Sequence, residues 1–192
     1  MIFVFDTETT GLPLWKEPSD DPAQPHIVDL ACSLFDGTGC EIERYDAIIN
    51  PGVEIPEEVS RLHGITTEIA REQGVSPIEA HDAFMAMIGR ASLIVGHNVS
   101  FDIRMVRILA ARLTGVKWDN PHPTFCTMRK TTNLCRIPSA RPRHANDWKW
   151  PRLTEATLHF FGEEHVEAHR ARPDCDAAAR LYFHLQGQGI AA

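Results

Sequence analysis

The chain opens on an apolar run, Met1-Ile2-Phe3-Val4-Phe5, that ends on Asp6-Thr7-Glu8. Such a run reads as a strand held inside a core, and side chains along a strand alternate between faces. Asp6 and Glu8 therefore leave the same face at the end of a buried segment, where two like charges repel. The pairing becomes favourable when a hard divalent cation lies between them, because Mg²⁺ and Mn²⁺ prefer carboxylate oxygens. Taken alone, the segment also admits a strand end entering solvent or a capping role for Glu8.

Further strand-like runs follow over Ile27 to Phe35 and Ile42 to Ile49, separated by turn signals such as Asp36-Gly37-Thr38-Gly39, and predict a β-meander. After Pro56 the pattern changes. Apolar residues recur at helical spacing over Pro77 to Ile88, Leu93-Ile94-Val95 reads as a strand, and Phe101 to Leu113 as an amphipathic helix. Helices are expected over Cys126 to Leu134, Leu153 to Phe161 and from about Pro173 to Leu185. Three hairpin-linked strands followed by β-α-β units predict an α/β fold, a mixed sheet flanked by helices. The 192 residues are expected to form one domain, residues 1–192, with no internal repeat.

Two more segments carry chemistry. In Val95-Gly96-His97-Asn98-Val99-Ser100-Phe101-Asp102 an apolar strand gives way to a helix with Asp102 in its first turn. The helix dipole favours an acid there whatever its function, but ligand sites in α/β sheets also gather beyond the carboxyl ends of strands. In Ala168-His169-Arg170-Ala171-Arg172-Pro173-Asp174, Pro173 suits the first position of a helix, which puts His169 before the helix and Asp174 in its first turn. A loop histidine beside a carboxylate can deprotonate a water near neutral pH. One histidine among ten is a weak signal, and taken alone it reads first as an ordinary surface or core residue. Asp176, two residues beyond Asp174, should face elsewhere on a helix.

The net charge of −7 speaks against a nucleic-acid partner until it is divided. Residues 1–100 hold 5 Lys/Arg against 17 Asp/Glu, and residues 101–192 hold 14 against 9, so the halves carry −12 and +5. A negatively charged strand can lie on the second half while carboxylates bind metal. The five scattered cysteines fit neither a disulfide framework nor a zinc site. With no signal-like start and no long apolar stretch, the protein is expected to be soluble and cytoplasmic, with no membrane partner.

Together the three segments closely resemble the motifs of the DEDD superfamily of exonucleases, histidine subtype, which includes the proofreading (epsilon) subunit of bacterial DNA polymerase III. Phe5-Asp6-Thr7-Glu8-Thr9-Thr10-Gly11-Leu12 resembles the first motif, His97 to Asp102 the second, and His169 with Asp174 the third. His63-Gly64-Ile65-Thr66 is similar to the family's His-Gly-Ile segment, and Lys149-Trp150-Pro151-Arg152-Leu153 leads into a helix as in stand-alone members. The resemblance implies a ribonuclease H-like fold with a five-stranded sheet, and two Mg²⁺ or Mn²⁺ ions held by Asp6, Glu8, Asp102 and Asp174, with His169 as general base. It implies 3′-to-5′ release of nucleoside 5′-monophosphates from a nucleic acid with a free 3′ end, DNA before RNA. Substrate contacts implied are Thr9, Leu12 and His63, and Phe101 as a stacking surface or a core residue. Replication or repair proteins are the protein partners to expect, although the chain ends at Ala192 without the tail by which the replicative subunit would hold a polymerase. The Pro138 to Asp147 stretch, with Arg141, Arg143, Lys149 and Arg152 nearby, is a solvated loop or a grip on phosphates.

Three other readings compete. The Asp6-x-Glu8-x-Thr10 order is also similar to haloacid dehalogenase-type phosphatases, which need an aspartate where Glu8 stands and a later Gly-Asp segment that is missing. A non-catalytic nucleic-acid-binding module would gain nothing from carboxylates placed where phosphates must lie. An exoribonuclease resembling ribonuclease T or oligoribonuclease has the same five residue types and differs only in how it meets the 2′-hydroxyl.

Overall fold

The computed structural model describes residues 1–142, 144, 146–165 and 168–190. Strands β1 (Ile2–Thr9), β2 (Ile27–Phe35) and β3 (Glu41–Ile48) form the expected antiparallel meander. β4 (Leu93–Gly96) runs parallel to β1 and β5 (Thr124–Cys126) parallel to β4, giving the order β3-β2-β1-β4-β5. The sheet is the mixed five-stranded one that the resemblance implied. Its fifth strand has three residues, too short to show alternation in the sequence, and it ends on Cys126, the residue at which the sequence predicts a helix to begin.

Helices α1 (Glu57–His63) and α2 (Thr67–Gln73) also escape the periodicity, each being seven residues long. Local chemistry separates them: Gly64, at φ 77°, ends α1, and the Thr66 hydroxyl accepts from the Ile69 amide to cap α2. α3 (Pro77–Ile88) starts on a Ser76 cap with Pro77 in its first turn. α4 (Val99–Thr114), α5 (Thr127–Cys135) and α6 (Leu153–Phe161) fall within two residues of expectation at either end. α7 (Ala171–Gly187) begins earlier than Pro173 suggests, which puts that proline at the third helical position rather than the first. The third position is tolerated because amides of the first turn have no intrahelical acceptor. The first closing bond is from Asp174 N to Arg170 O, at 3.1 Å.

β1 is buried on both faces. Phe3 and Phe5 pack edge-on against Phe84 of α3, with ring centroids 5.3 and 5.1 Å away, in a cluster that includes Met105 and Ile108 of α4. Ile2 and Val4 on the opposite face pack with Cys175 and Ala178 of α7. The molecule is thus α3 and α4, sheet, α7. Burial stabilises by about 1.5–3 kcal/mol for each phenylalanine. A one-residue slip of β1 would send Phe3 and Phe5 to the α7 face and the two acids into the phenylalanine layer, so packing fixes where Asp6 and Glu8 point. No described helix is long and apolar enough to cross a membrane.

Candidate active site

Asp6 and Glu8 lie at the C-terminal end of β1, on the α7 face. β4 pairs with β1 only from Ile2 to Val4, leaving backbone donors further along that edge free. The Asp102 carboxylate takes one of them: its Oδ1 accepts from Thr7 N at 3.1 Å and from Thr7 Oγ1 at 2.8 Å, and Asp102 is 2% exposed. The turn that delivers Asp102 is tight. A Cβ at Gly96 would stand 3.1 Å from the Val99 Cβ and 3.3 Å from the Phe5 carbonyl, so glycine lets β4 turn into α4 close against β1. Asn98, the α4 cap, takes φ 68°, a left-handed conformation that asparagine tolerates better than most residues. His97 braces this turn from outside. Its Nε2 donates to Pro151 O at 3.0 Å, which leaves Nδ1 to accept from Thr127 Oγ1 at 2.9 Å, and burial pushes its pKa down to about 4.

Asp174 arrives from α7. Its Oδ2 accepts from His169 N at 3.2 Å and its Oδ1 is hydrogen-bonded to His165 Nε2. Ligand atoms of Glu8, His169 and Asp174 lie within 4.8 Å of one another. His169 has φ 68° and precedes Arg170, whose Nε donates at 2.8 Å to Asp29 Oδ2; the same oxygen accepts from Ala171 N at 3.2 Å. Asp29 is buried on β2 in cross-strand register with Glu8, so two like charges face each other with the Arg170 guanidinium beside them.

The sequence thus brings Asp6, Glu8, Asp102 and Asp174 together, and the electrostatic cost is visible. Burial, then the charges of Asp102, Asp174, Glu8 and Asp29, hold the Asp6 pKa well above the usual range. Burial and the charge of Asp174 raise Glu8 to about 8, with Arg170 opposing. Burial raises Asp102 to about 7, against the two Thr7 hydrogen bonds. Three carboxylates that resist ionisation, with Asp174 beside them and all-oxygen donor atoms, fit hard divalent cations.

An open cleft of about 330 Å³ lies over these groups, with Leu12, Phe101 and Leu153 among its apolar walls. Phe101 answers to both readings, since it lines the cleft while packing partly on the core. Thr9 and His63 are both buried, beside the residues that line the cleft rather than among them. Thr9 Oγ1 donates to Gly11 O at 2.8 Å, and His63 Nδ1 accepts from Ile65 N at 3.1 Å while its Nε2 has no hydrogen-bond partner among the described residues. Asp176 faces away, paired with Arg172 at 2.6 Å. Of the basic candidates, Lys149 is paired with Glu155 at 2.5 Å, Arg141 is exposed and Arg143 lies outside the described residues.

Sequence reasoning assigned no role to Asp29, His97, His165 or Leu153. Asp29 had a signal, being the one acid inside Ile27-Val28-Asp29-Leu30-Ala31-Cys32, where a buried charge needs a partner. His165 had none, since nothing in a Glu-Glu-His run marks it off from a solvated loop.

A sheet whose central strands deliver carboxylates to one point at their C-terminal ends, with a histidine from the last helix's approach, is the architecture of the ribonuclease H-like nucleases. The profile of a family described as exonuclease matches residues 3–182, and the chain belongs to that family. It is 27% identical over 186 residues to the DNA polymerase III epsilon subunit of Aquifex aeolicus, covering 95% of this chain and 78% of the relative. It is 32% identical over 128 residues to the PolC-type DNA polymerase III of Thermotoga maritima, where the match covers 67% of this chain and 9% of the polymerase. E. coli Exonuclease I in complex with a dA16 oligonucleotide has the same fold, with TM-score 0.72 and 19% identity across 99% of this chain and 42% of that one. The chain therefore spans a small part of some relatives and most of others.

Proposed function

We propose that this chain is a single exonuclease domain, working in the cytoplasm, that hydrolyses terminal phosphodiester bonds from the 3′ end of single-stranded or frayed DNA and releases nucleoside 5′-monophosphates. The observation that carries the reading is the convergence of four carboxylates, two of them held near pKa 8 and 7, on one cleft wall beside His169. Asp6, Glu8 and Asp174 would hold one Mg²⁺ or Mn²⁺, and Asp6 with Asp102 a second. Cations so held supply positive charge to the oxygens of an in-line displacement.

The chain's own residues supply the rest. A ring nitrogen of His169 takes the proton of the attacking water, a step that typically contributes about 10²–10⁴-fold. Asp174 anchors the His169 amide, and Asp29 holds Arg170 next to it, so the base is presented from one side of the carboxylates. Leu12 and Phe101 offer apolar surface to the terminal base without reading its hydrogen-bonding edge, which suits an enzyme accepting every base. The relatives' names associate this family with replication, and replication or repair proteins are the partners to test first.

Incubation of the purified protein with 3′- and 5′-labelled DNA and RNA oligonucleotides, single- and double-stranded, tests the whole reading. A ladder shortening from the 3′ end of DNA, abolished by chelator and restored by Mg²⁺ or Mn²⁺, is expected. Faster degradation of RNA would reassign the substrate, and activity that persists in chelator would remove the cations from the mechanism.

A further inference from the structure

We infer that the molecule carries a second nucleotide subsite, in the cleft bordered by Trp15, Ser100, Arg107 and Arg129, which takes a nucleotide upstream of the one over the carboxylates. The inference rests on the exonuclease reading. This cleft measures about 330 Å³ and shares the first turn of α4 with the first: Asn98, Phe101 and Asp102 line one, Val99 and Ser100 the other. The loop after β1 spans the same divide, with Leu12 in the carboxylate cleft and Trp15 three residues on in the neighbour.

The composition of the second cleft matches a stretch of polynucleotide. Its floor is apolar, from Val99, Ile103 and Cys126, and Trp15 stands over it 60% exposed. The backbone under that indole is pinned. The Arg104 guanidinium donates to Leu14 O at 3.3 Å, to Glu17 O at 2.6 Å and to Ser19 Oγ at 2.7 Å, and the Gln24 amide exchanges two 3.0 Å bonds with Leu14. A backbone already held loses little freedom on binding, and base stacking on an aromatic face contributes about 1–3 kcal/mol per base. At the rim, Arg129 has no ion-pair or hydrogen-bond partner among the described residues. Arg107 has a 3.5 Å contact with the exposed Asp119, and its buried Nε has no hydrogen-bond partner among the described residues. Carboxylates fill one cleft and guanidinium groups the next, as a strand needs if its reacting phosphate is to meet cations while the phosphate before it meets arginine. An acidic peptide would satisfy the arginines and leave the indole without a role.

The test uses 5′-fluorescein oligothymidylates of two to six nucleotides, titrated with the intact protein in chelator and read by anisotropy, so that binding is measured without turnover. Wild-type affinity is expected to step up by about 5- to 100-fold at the length that first reaches the second cleft. The step should vanish in Trp15→Ala and shrink in Arg129→Ala, which should also lower the slope of log affinity against log salt by about 0.7. Both side chains are exposed, and a thermal melt matching wild type checks that the variants fold. No step in wild type, or a full step in both variants, overturns the subsite, as does an acidic peptide that competes at every length equally. Incubation of wild type with the same oligothymidylates and Mg²⁺ separates the two claims. Absence of mononucleotide release there counts against the exonuclease reading, while the length step is judged on anisotropy alone.

Discussion

The carboxylates of β1 and the histidine opposite them are positioned by different means. Asp6 and Glu8 sit on a strand that is bonded along its length to β2 and packed on both faces, so they move only if the core moves. His169 sits in a turn at φ 68°, held through its own amide to Asp174 and through Arg170 to Asp29. The first arrangement is rigid because apolar burial holds it, and the second is held by ionic contacts that a single substitution can release. The part proposed to collect cations is therefore built into the fold, and the part proposed to move a proton is tied on afterwards.

The comparison breaks most completely at Asp6. Asp6→Asn should reduce cation-dependent hydrolysis to background and weaken cation binding in calorimetric titration, yet raise the melting temperature in chelator, because it removes one of several charges that burial and repulsion disfavour. A variant that fails to fold would mean that Asp6 is a structural residue. His169→Ala comes next: turnover should fall by about 10²–10⁴-fold while cation and oligonucleotide affinities hold, since the base contributes to the proton transfer rather than to binding. Loss of affinity with normal turnover of bound substrate would give His169 a different role. Asp29→Asn tests the tether itself. It keeps an acceptor for the Ala171 amide but surrenders the charge that holds Arg170, and effects of such supporting contacts run to about 10–100-fold. The fall should appear in kcat with KM nearly unchanged; an unaltered kcat would show that Arg170 does not position His169.

The same division separates what was legible in the sequence from what was not. Strands β1 to β4 and the long helices announce themselves because burial imposes periodicity, and Asp6, Glu8, Asp102 and Asp174 stand at the ends of those elements. β5, α1 and α2 are too short for a period to develop; neighbours and caps such as Gly64 and Thr66 define them instead. Pro173 misled by two residues because any of the first amides of a helix can be dispensed with. The burial of His63 and Thr9 depends on how α1 docks, which no local pattern encodes. The Asp29–Arg170 pair spans 141 residues, and only the folded sheet brings its members together.

The smallest expected effect is on stability, and it sharpens the comparison because it belongs to the strand and α4 acids alone. Burial raises Glu8 from 4.5 to about 8 and Asp102 from 3.8 to about 7. The folded protein therefore holds protons that the unfolded chain releases near pH 4, and the stability these groups contribute is full below that pH and lost as pH rises through about 7 to 8. In chelator, urea midpoints should fall from pH 5.5 to pH 8.5, with a slope of at most about 1.4 kcal/mol per pH unit for each proton released. Divalent cations should flatten the fall by compensating the ionised carboxylates. Asp6→Asn should flatten it too. Midpoints that rise across this window would mean that the acids sit in solvent-like surroundings, and then the strand would have no electrostatic reason to gather cations at all.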